Sequence, residues 1–436
     1  MNLVNSFFLT LSIRFIVLLL GIVSGVIVAR TLGPEGRGTF TAITVIVGLL
    51  VQFGTFGIQD FNSIQSVKDK KSIPFLIGNS LLFGFITSSI LIAVSIFFTI
   101  RYPSFFLHNI DTELFIIALA ALPFLLISSH LQNILIGTKK IIGYNIVQLV
   151  YQGVFLCGTV FLLVGYFALP GLIWWYLFAS IIALFAVIFF LRTRFSFWGN
   201  FLLFKKGISF GLKSYIVSIC AFLIIRMNIF LINFFLGSEQ TGFYSAALSI
   251  AEFIYIFPSI FGILIVPRLI EYAAHSEKYT ILLGKIIAYC MSAIIGVIFL
   301  FSHEIITLLY GEKFQASHPV LIILLWAVFF YSISNVFFCF FTSRGLPRFV
   351  FFLWIPPVAL SILLAVILIP TRGIVGAAWS SFFIYFLIFL SHVIAFKLYT
   401  KTRVRDFFIL SKEEIGIVKQ IIVKYFFSFK RHDVCP

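Results

Sequence analysis

Runs of about twenty apolar residues recur along almost the whole of this chain, separated by short polar stretches, and they decide its fold class. A helix of ~20 residues crosses a hydrocarbon core of ~30 Å. Within that core every backbone polar group has to be bonded inside its own element. About twelve segments qualify by that length, the first over about residues 8–29 and the last over about 374–396. Charged residues make up only 11% of the chain and hydrophobic residues 61%, whereas a soluble domain carries ~25% charged residues. The expectation is an all-α polytopic membrane protein of about twelve transmembrane helices. The first run follows MNLVNSFF, which has no basic residue, and no cleavage site follows it. It reads as a permanent span rather than a signal peptide.

One motif occurs twice. Leu32 to Ala42 reads LGPEGRGTFTA, and Leu236 to Ala246 reads LGSEQTGFYSA. The copies align without a gap: Gly33 with Gly237, Glu35 with Glu239, Gly38 with Gly242, Phe40 with Tyr244, Ala42 with Ala246. Each copy reads as a loop between two spans, and an even number of spans separates them, so both face the same side. The chain is therefore expected to hold two parallel six-helix repeats around a central cavity. The division is an N-terminal lobe over 1–191, a basic cytoplasmic linker over 192–207, a C-terminal lobe over 208–397 and a basic tail over 398–436. Lys68, Lys70, Lys71, Lys139, Lys140, Arg192, Arg194, Lys205, Lys206, Arg344 and Arg348 fall on one side of this arrangement. The positive-inside rule makes that side, and both termini, cytoplasmic. The net charge of +16 then reports topology, and no nucleic-acid partner is implied. In the tail, Ser411-Lys-Glu-Glu414 resembles a capping box, and Ile415, Val418, Ile422 and Tyr425 recur at helical spacing. That pattern fits an interfacial helix on anionic membrane lipids, or a docking segment for a partner.

Charges inside spans cost ~2.5–3.5 kcal/mol each on insertion scales and invite a functional reading. Arg14 lies mid-segment in the first span, with Gly21 and Gly25 on its face. Arg226 lies deep in the seventh span, with Asn228 close by and Asn233 on its face. Converging on a cavity, the two arginines suit a phosphate or diphosphate, whose oxygens match the guanidinium fork; the alternative is that each snorkels or holds a helix contact. Lys213 and Lys285 sit near the inner ends of their spans and are expected to snorkel. Glu252 is an acid deep in a span, with Ser249, Tyr255 and Ser259 on its face. It is either a proton or Na⁺ site or the counter-charge of an arginine. Uncharged polar stripes (Gln52 and Gln59; Asn145, Gln148 and Gln152; Ser381, Tyr385 and His392) read mainly as bonds between helices. The five cysteines have no paired spacing, so neither a disulfide framework nor a metal site is expected. No nucleotide-binding Gly-Lys-Ser/Thr loop, metal-spaced His/Cys cluster or outer pair of carboxylates occurs. The chain reads as a carrier, with no cofactor and no enzymatic activity.

Three passages carry a resemblance: Val28-Ala-Arg-Thr-Leu-Gly33 with Glu35 and Gly38; Arg226 through Gly242, Tyr244 and Ala246 to Pro267; and Leu368-Ile-Pro370 with Gly373-Ile-Val-Gly-Ala-Ala378. Together they resemble the polysaccharide flippases of the Wzx type, within the superfamily that includes MATE drug exporters and lipid II flippases. The resemblance implies two six-helix lobes around a cationic cavity. It also implies translocation of undecaprenyl-diphosphate-linked oligosaccharides to the outer leaflet of a bacterial inner membrane, for O-antigen, capsule or exopolysaccharide synthesis. Substrate binding then falls to Arg14, Arg226, Asn228, Lys213, Arg30 and Gln52, and coupling to H⁺ or Na⁺ to Glu252. A polysaccharide polymerase and chain-length proteins become expected partners. One departure is Asn228, which stands where the family usually has the acid of Arg-x-Asp and moves the ionic role toward Glu252. Two alternatives stay open: a cation-coupled drug or metabolite exporter, which calls for acidic residues in the cavity, and a membrane polymerase or glycosyltransferase, which calls for a sizeable outer loop.

Overall fold

The computed structural model describes residues 3–102, 110–163, 165, 168–192, 199–271, 276–345 and 347–400. Within them the chain is helical apart from turns and caps, with no strand. The first helix, α1, spans Leu3–Gly54 but doubles back at Gly33, whose backbone (φ 69°, ψ −172°) is not helical. Arg37 donates to the carbonyl of Gly25 at 2.9 Å, a pair that a straight helix would hold ~18 Å apart. The last helix, α14 (Ile355–Thr400), folds the same way at Gly373 (φ 62°, ψ −148°). A Cβ on Gly376 would lie 2.1 Å from the carbonyl oxygen of Leu368, eight residues back along the chain. Ten helical stretches among the described residues are long and apolar enough to cross a membrane. Two of them are these hairpins, each crossing twice, so the geometry is consistent with twelve crossings.

The expected first outer loop is thus a reversal of one residue. Pro34 takes the first helical position after it, where a missing N–H leaves nothing unbonded. Gly33 adopts a backbone that essentially only glycine can reach. Gly237 ends the seventh crossing in the same conformation (φ 84°, ψ −177°), so the backbone repeats where the sequence repeats.

Between the hairpins run α2 (Ile58–Lys68), α3 (Ile73–Arg101), α4 (Thr112–Leu119), α5 (Leu122–Gly137), α6 (Ile141–Leu163) and α7 (Leu169–Leu191). These are followed by α8 (Phe201–Leu236), α9 (Ser238–Glu271), α10 (Ser276–Leu300), α11 (Ser302–Tyr310), α12 (Ser317–Ser343) and α13 (Arg348–Phe352). One core gathers Ile43, Val47, Phe115, Leu122 and Ile173 from the first half of the chain. A larger one gathers Ile232, Tyr244, Ala251, Leu325 and Ile384 from the second. Outside both, Phe85, Phe97, Phe185, Phe189 and Leu300 stand largely exposed, a surface that suits lipid rather than water.

Several expectations change. Helix α8 begins at Phe201, where the Asn200 side chain accepts from the Leu203 N–H at 3.0 Å, so the end of the expected linker is helix. Its first half leans on the other lobe: Asn79 donates to the Asn200 carbonyl at 3.1 Å, and Phe83 packs on Phe204. Lys285 is buried rather than snorkelling. Of the cysteines in apolar segments, Cys220 and Cys339 are buried and Cys157 is exposed. The tail pattern from Ser411 to Tyr425 lies outside the described residues.

Candidate functional site: the interlobe seam and cavity

The two motif copies, distant in sequence, meet. A Cβ on Gly38 would lie 1.6 Å from the carbonyl oxygen of Ser238, and a Cβ on Gly242 would lie 1.9 Å from that of Pro34. Pro34 and Ser238 are themselves equivalent positions of the repeat, so the contact is reciprocal, as across a two-fold axis. Backbone meets backbone, which only glycine permits. Helices α1 and α9 pair along this seam. We call this end of the bundle the motif end and the opposite one, with Lys68, Lys139, Arg192 and Arg344, the basic end.

Beneath the seam lies a cavity of about 270 Å³ shared by the two lobes. Gly21 and Gly25 of α1 and Gln152 of α6 line it from one side, and Ser249 and Glu252 of α9 with Tyr310 of α11 from the other. Arg226 reaches Glu252 from α8, at 3.1 Å (Nη1 to Oε1) and 3.2 Å (Nη2 to Oε2), with about a third of each side chain exposed. Of the two roles open to Glu252, the geometry contains the counter-charge. Arg14 lies one turn before Val17 and Leu18, which also line the cavity. It is partly exposed and makes no hydrogen bond or ion pair among the described residues.

The remaining sequence candidates lie elsewhere. Asn228 is buried and donates to the Ala377 carbonyl at 3.2 Å and to Ser381 Oγ at 2.8 Å. Both its donors are spent on α14, which makes it a bond between helices rather than a cavity group. Gln52 donates to Ser218 Oγ at 2.9 Å, joining α1 to α8. Arg30 is exposed at the motif end, where its guanidinium donates to the carbonyls of Leu308 and Leu309 at the end of α11, a place suited to a cation. The Lys213 side chain lies outside the described residues.

The residue that sequence reasoning missed is Arg37. It is 4% exposed, and its guanidinium donates to the Gly25 carbonyl, to Ser245 Oγ at 3.1 Å, to the Ser245 carbonyl at 3.2 Å and to Ser249 Oγ at 3.0 Å. It also stands 4.5 Å over the Tyr310 ring. Read as loop, it counted as an outer-side charge; as the fourth residue of a helix that starts at Pro34, it points inward. The available signal was that Arg37 occupies the motif position where the second copy has an uncharged Thr241.

At the basic end a second close approach joins the lobes. A Cβ on Gly57 would lie 2.2 Å from the Gly211 carbonyl oxygen, and one on Gly211 2.5 Å from that of Gly57. Tyr215 donates to the Phe53 carbonyl at 2.7 Å and stacks on Phe56.

The fold has solved relatives. A lipid II flippase, MurJ, in an inward closed conformation superposes with a TM-score of 0.79 at 15% identity, over 98% of this chain and 94% of that one. An inward-facing multidrug resistance MATE family transporter of the MOP superfamily gives 0.65 at 17% identity, over 88% and 95%. A MOP superfamily transporter from Pyrococcus furiosus gives 0.62 at 17% identity, over 91% and 95%. At these identities the superpositions establish a shared fold, that of a multi-pass membrane protein. No curated protein matches the sequence. The family model described as "Polysaccharide biosynthesis protein" matches residues 27–319, which is more than half of the chain and takes in both motif copies, Arg226 and Glu252. The chain belongs to that polysaccharide biosynthesis protein family.

Proposed function

We propose that the protein is a flippase for a lipid-linked, phosphate-bearing saccharide, with undecaprenyl-diphosphate oligosaccharide as its substrate class. The observation that carries this reading is the charge balance around the cavity. Glu252, the carboxylate on the cavity wall among the described residues, is paired with Arg226, while Arg14 and Arg37 have no carboxylate partner among those residues. The charges around the cavity wall thus carry a positive excess, which favours a phosphate over a cationic drug. Family membership supports a saccharide cargo, and the uncharged Gln152 and Ser249 on the cavity wall suit hydroxyl groups.

In this reading the lobes alternate between seams. The motif-end seam is shut here, and cargo leaves when it parts. The basic end faces the cytoplasm, by the positive-inside rule, and the membrane is the bacterial inner membrane. Glu252 couples transport to H⁺ or Na⁺ by exchanging that cation for Arg226, which frees the guanidinium for a phosphate. The test is reconstitution into liposomes with undecaprenyl-diphosphate oligosaccharide, scoring its accessibility to an external lectin with and without a pH gradient. Arg226→Ala and Arg14→Ala should each abolish protein-dependent movement while inserting normally. Movement of cationic dyes but of no lipid-linked sugar would replace this reading with that of an exporter.

A further inference from the structure

Arg37 is a buried cation bound to neutral acceptors alone. Three of its four hydrogen bonds cross from one lobe to the other, to the Ser245 carbonyl and hydroxyl and to the Ser249 hydroxyl. Both serines also donate within their own helix, Ser245 to the Gly242 carbonyl at 2.9 Å and Ser249 to the Ser245 carbonyl at 2.8 Å. Their hydroxyl protons are thus committed, and each offers the guanidinium a lone pair. Burying a charge against neutral partners is costly, and among the described residues no carboxylate pairs with Arg37 to offset the cost. Closing the seam draws on four N–H donors, more than the two of a side-chain amide, but it has no use for the charge they come with. What the charge adds is a stronger attraction to an anion. Three of the groups that Arg37 touches, Gly25, Ser249 and Tyr310, are walls of the cavity, so the guanidinium lies directly behind them, just beneath the Gly38–Gly242 contact.

We propose that Arg37 is a substrate-operated latch: a phosphate or diphosphate group in the cavity draws its guanidinium away from Ser245 and Ser249, and the motif-end seam then parts. The exchange replaces bonds from the guanidinium to neutral oxygens by fork-shaped bonds to an anion, in which both partners are charged and the geometry is bidentate. It also makes opening conditional on cargo, since without an anion the guanidinium has no better partner than the seam. The inference rests on the anionic-cargo reading above and adds how cargo releases the gate.

Glu35 and Glu239 are exposed, equivalent in the repeat and adjacent to the contacting Pro34 and Ser238. Spin labels at Glu35→Cys and Glu239→Cys report the seam width in the full chain in lipid nanodiscs, with native thiols blocked or replaced. Geranyl diphosphate is the probe and geraniol the uncharged control, with binding measured in parallel by calorimetry. The diphosphate should move the label distance to longer values, and geraniol should not. Arg37→Gln should populate the longer distance without ligand, lose the response and bind the diphosphate about tenfold more weakly, the equivalent of one hydrogen bond to a charged group. Ser249→Ala keeps the charge but removes one seam acceptor, so it should halve-open the seam at about tenfold lower diphosphate. Opening of Arg37→Gln by diphosphate with unchanged affinity, or opening of the wild type by geraniol, overturns the latch. Wild type that binds diphosphate while its seam stays shut also overturns the latch and leaves the cargo reading standing. Wild type that binds no diphosphate overturns both.

Discussion

Replacing Gly38 by alanine adds a single methyl group at the point where the two halves of the chain touch. That methyl would sit 1.6 Å from the Ser238 carbonyl oxygen and 2.7 Å from the Gly242 nitrogen, whereas non-bonded carbon contacts settle near ~3.5–4.0 Å. Both neighbours are backbone atoms within helices, so no side chain can rotate away, and the seam has to widen by more than an ångström. Overpacking of this kind costs about 1–3 kcal/mol. The seam-closed state bears that cost and the open state does not. The closed-to-open ratio should therefore fall by about 5-fold to 150-fold. The spin-label pair at positions 35 and 239 reads this directly, as a longer distance without ligand. Gly242→Ala should reproduce the effect, because its methyl would meet the Pro34 carbonyl oxygen at 1.9 Å. The double variant should cost less than the sum, since one methyl has already parted the surfaces that the second would strike. Gly153→Ala is the control: a Cβ there meets nothing within 4 Å, and alanine in a helix interior is neutral to stabilising by ~0.5–1 kcal/mol. A Gly38→Ala protein with the wild-type distance distribution would refute the closed seam as described.

The basic end should respond in the opposite sense. Gly57→Ala meets both a left-handed backbone (φ 70°) and the Gly211 carbonyl oxygen at 2.2 Å, so it should open that end, measured as added solvent accessibility of a cysteine at Tyr215. Exchanging Arg226 with Glu252 in a double variant should restore more transport than either single charge change, if pairing is what the 3.1 Å contact provides; equal losses in all three would give each residue a separate role. Asn228→Asp places a carboxylate oxygen against the Ala377 carbonyl, which now accepts a hydrogen bond at 3.2 Å. It should lower thermal stability by ~1–3 kcal/mol, read as a lower unfolding midpoint in detergent. Arg30→Ala removes two bonds from an exposed guanidinium to the end of α11, and its cost to the same midpoint should stay under ~1 kcal/mol.

By itself the sequence determined the class and the recurrence of one motif. Lipid imposes one length and one bonding pattern on any spanning helix, so the runs from 8–29 to 374–396 could be read as crossings without knowing their neighbours. The spacing of Gly33 and Gly237, and of Gly38 and Gly242, exposed the duplication because each glycine answers a local need that recurs. Arg226 and Glu252 stand out in the sequence as charges among apolar residues; Glu252 lines the cavity and Arg226 is its ion-pair partner. What only the tertiary structure decided is which groups across the bundle meet. Helical periodicity places a side chain on a face and leaves open what that face touches. Asn228 therefore read as a cavity group until its partners on α14 were seen, and Lys285 read as snorkelling until its burial was. Arg37 was hidden for a related reason. The motif was taken as loop, and a loop arginine is solvated, whereas a reversal confined to Gly33 turns the next residues into helix and carries Arg37 between the lobes. Partnership across a seam belongs to two stretches of chain at once, and neither stretch states it alone.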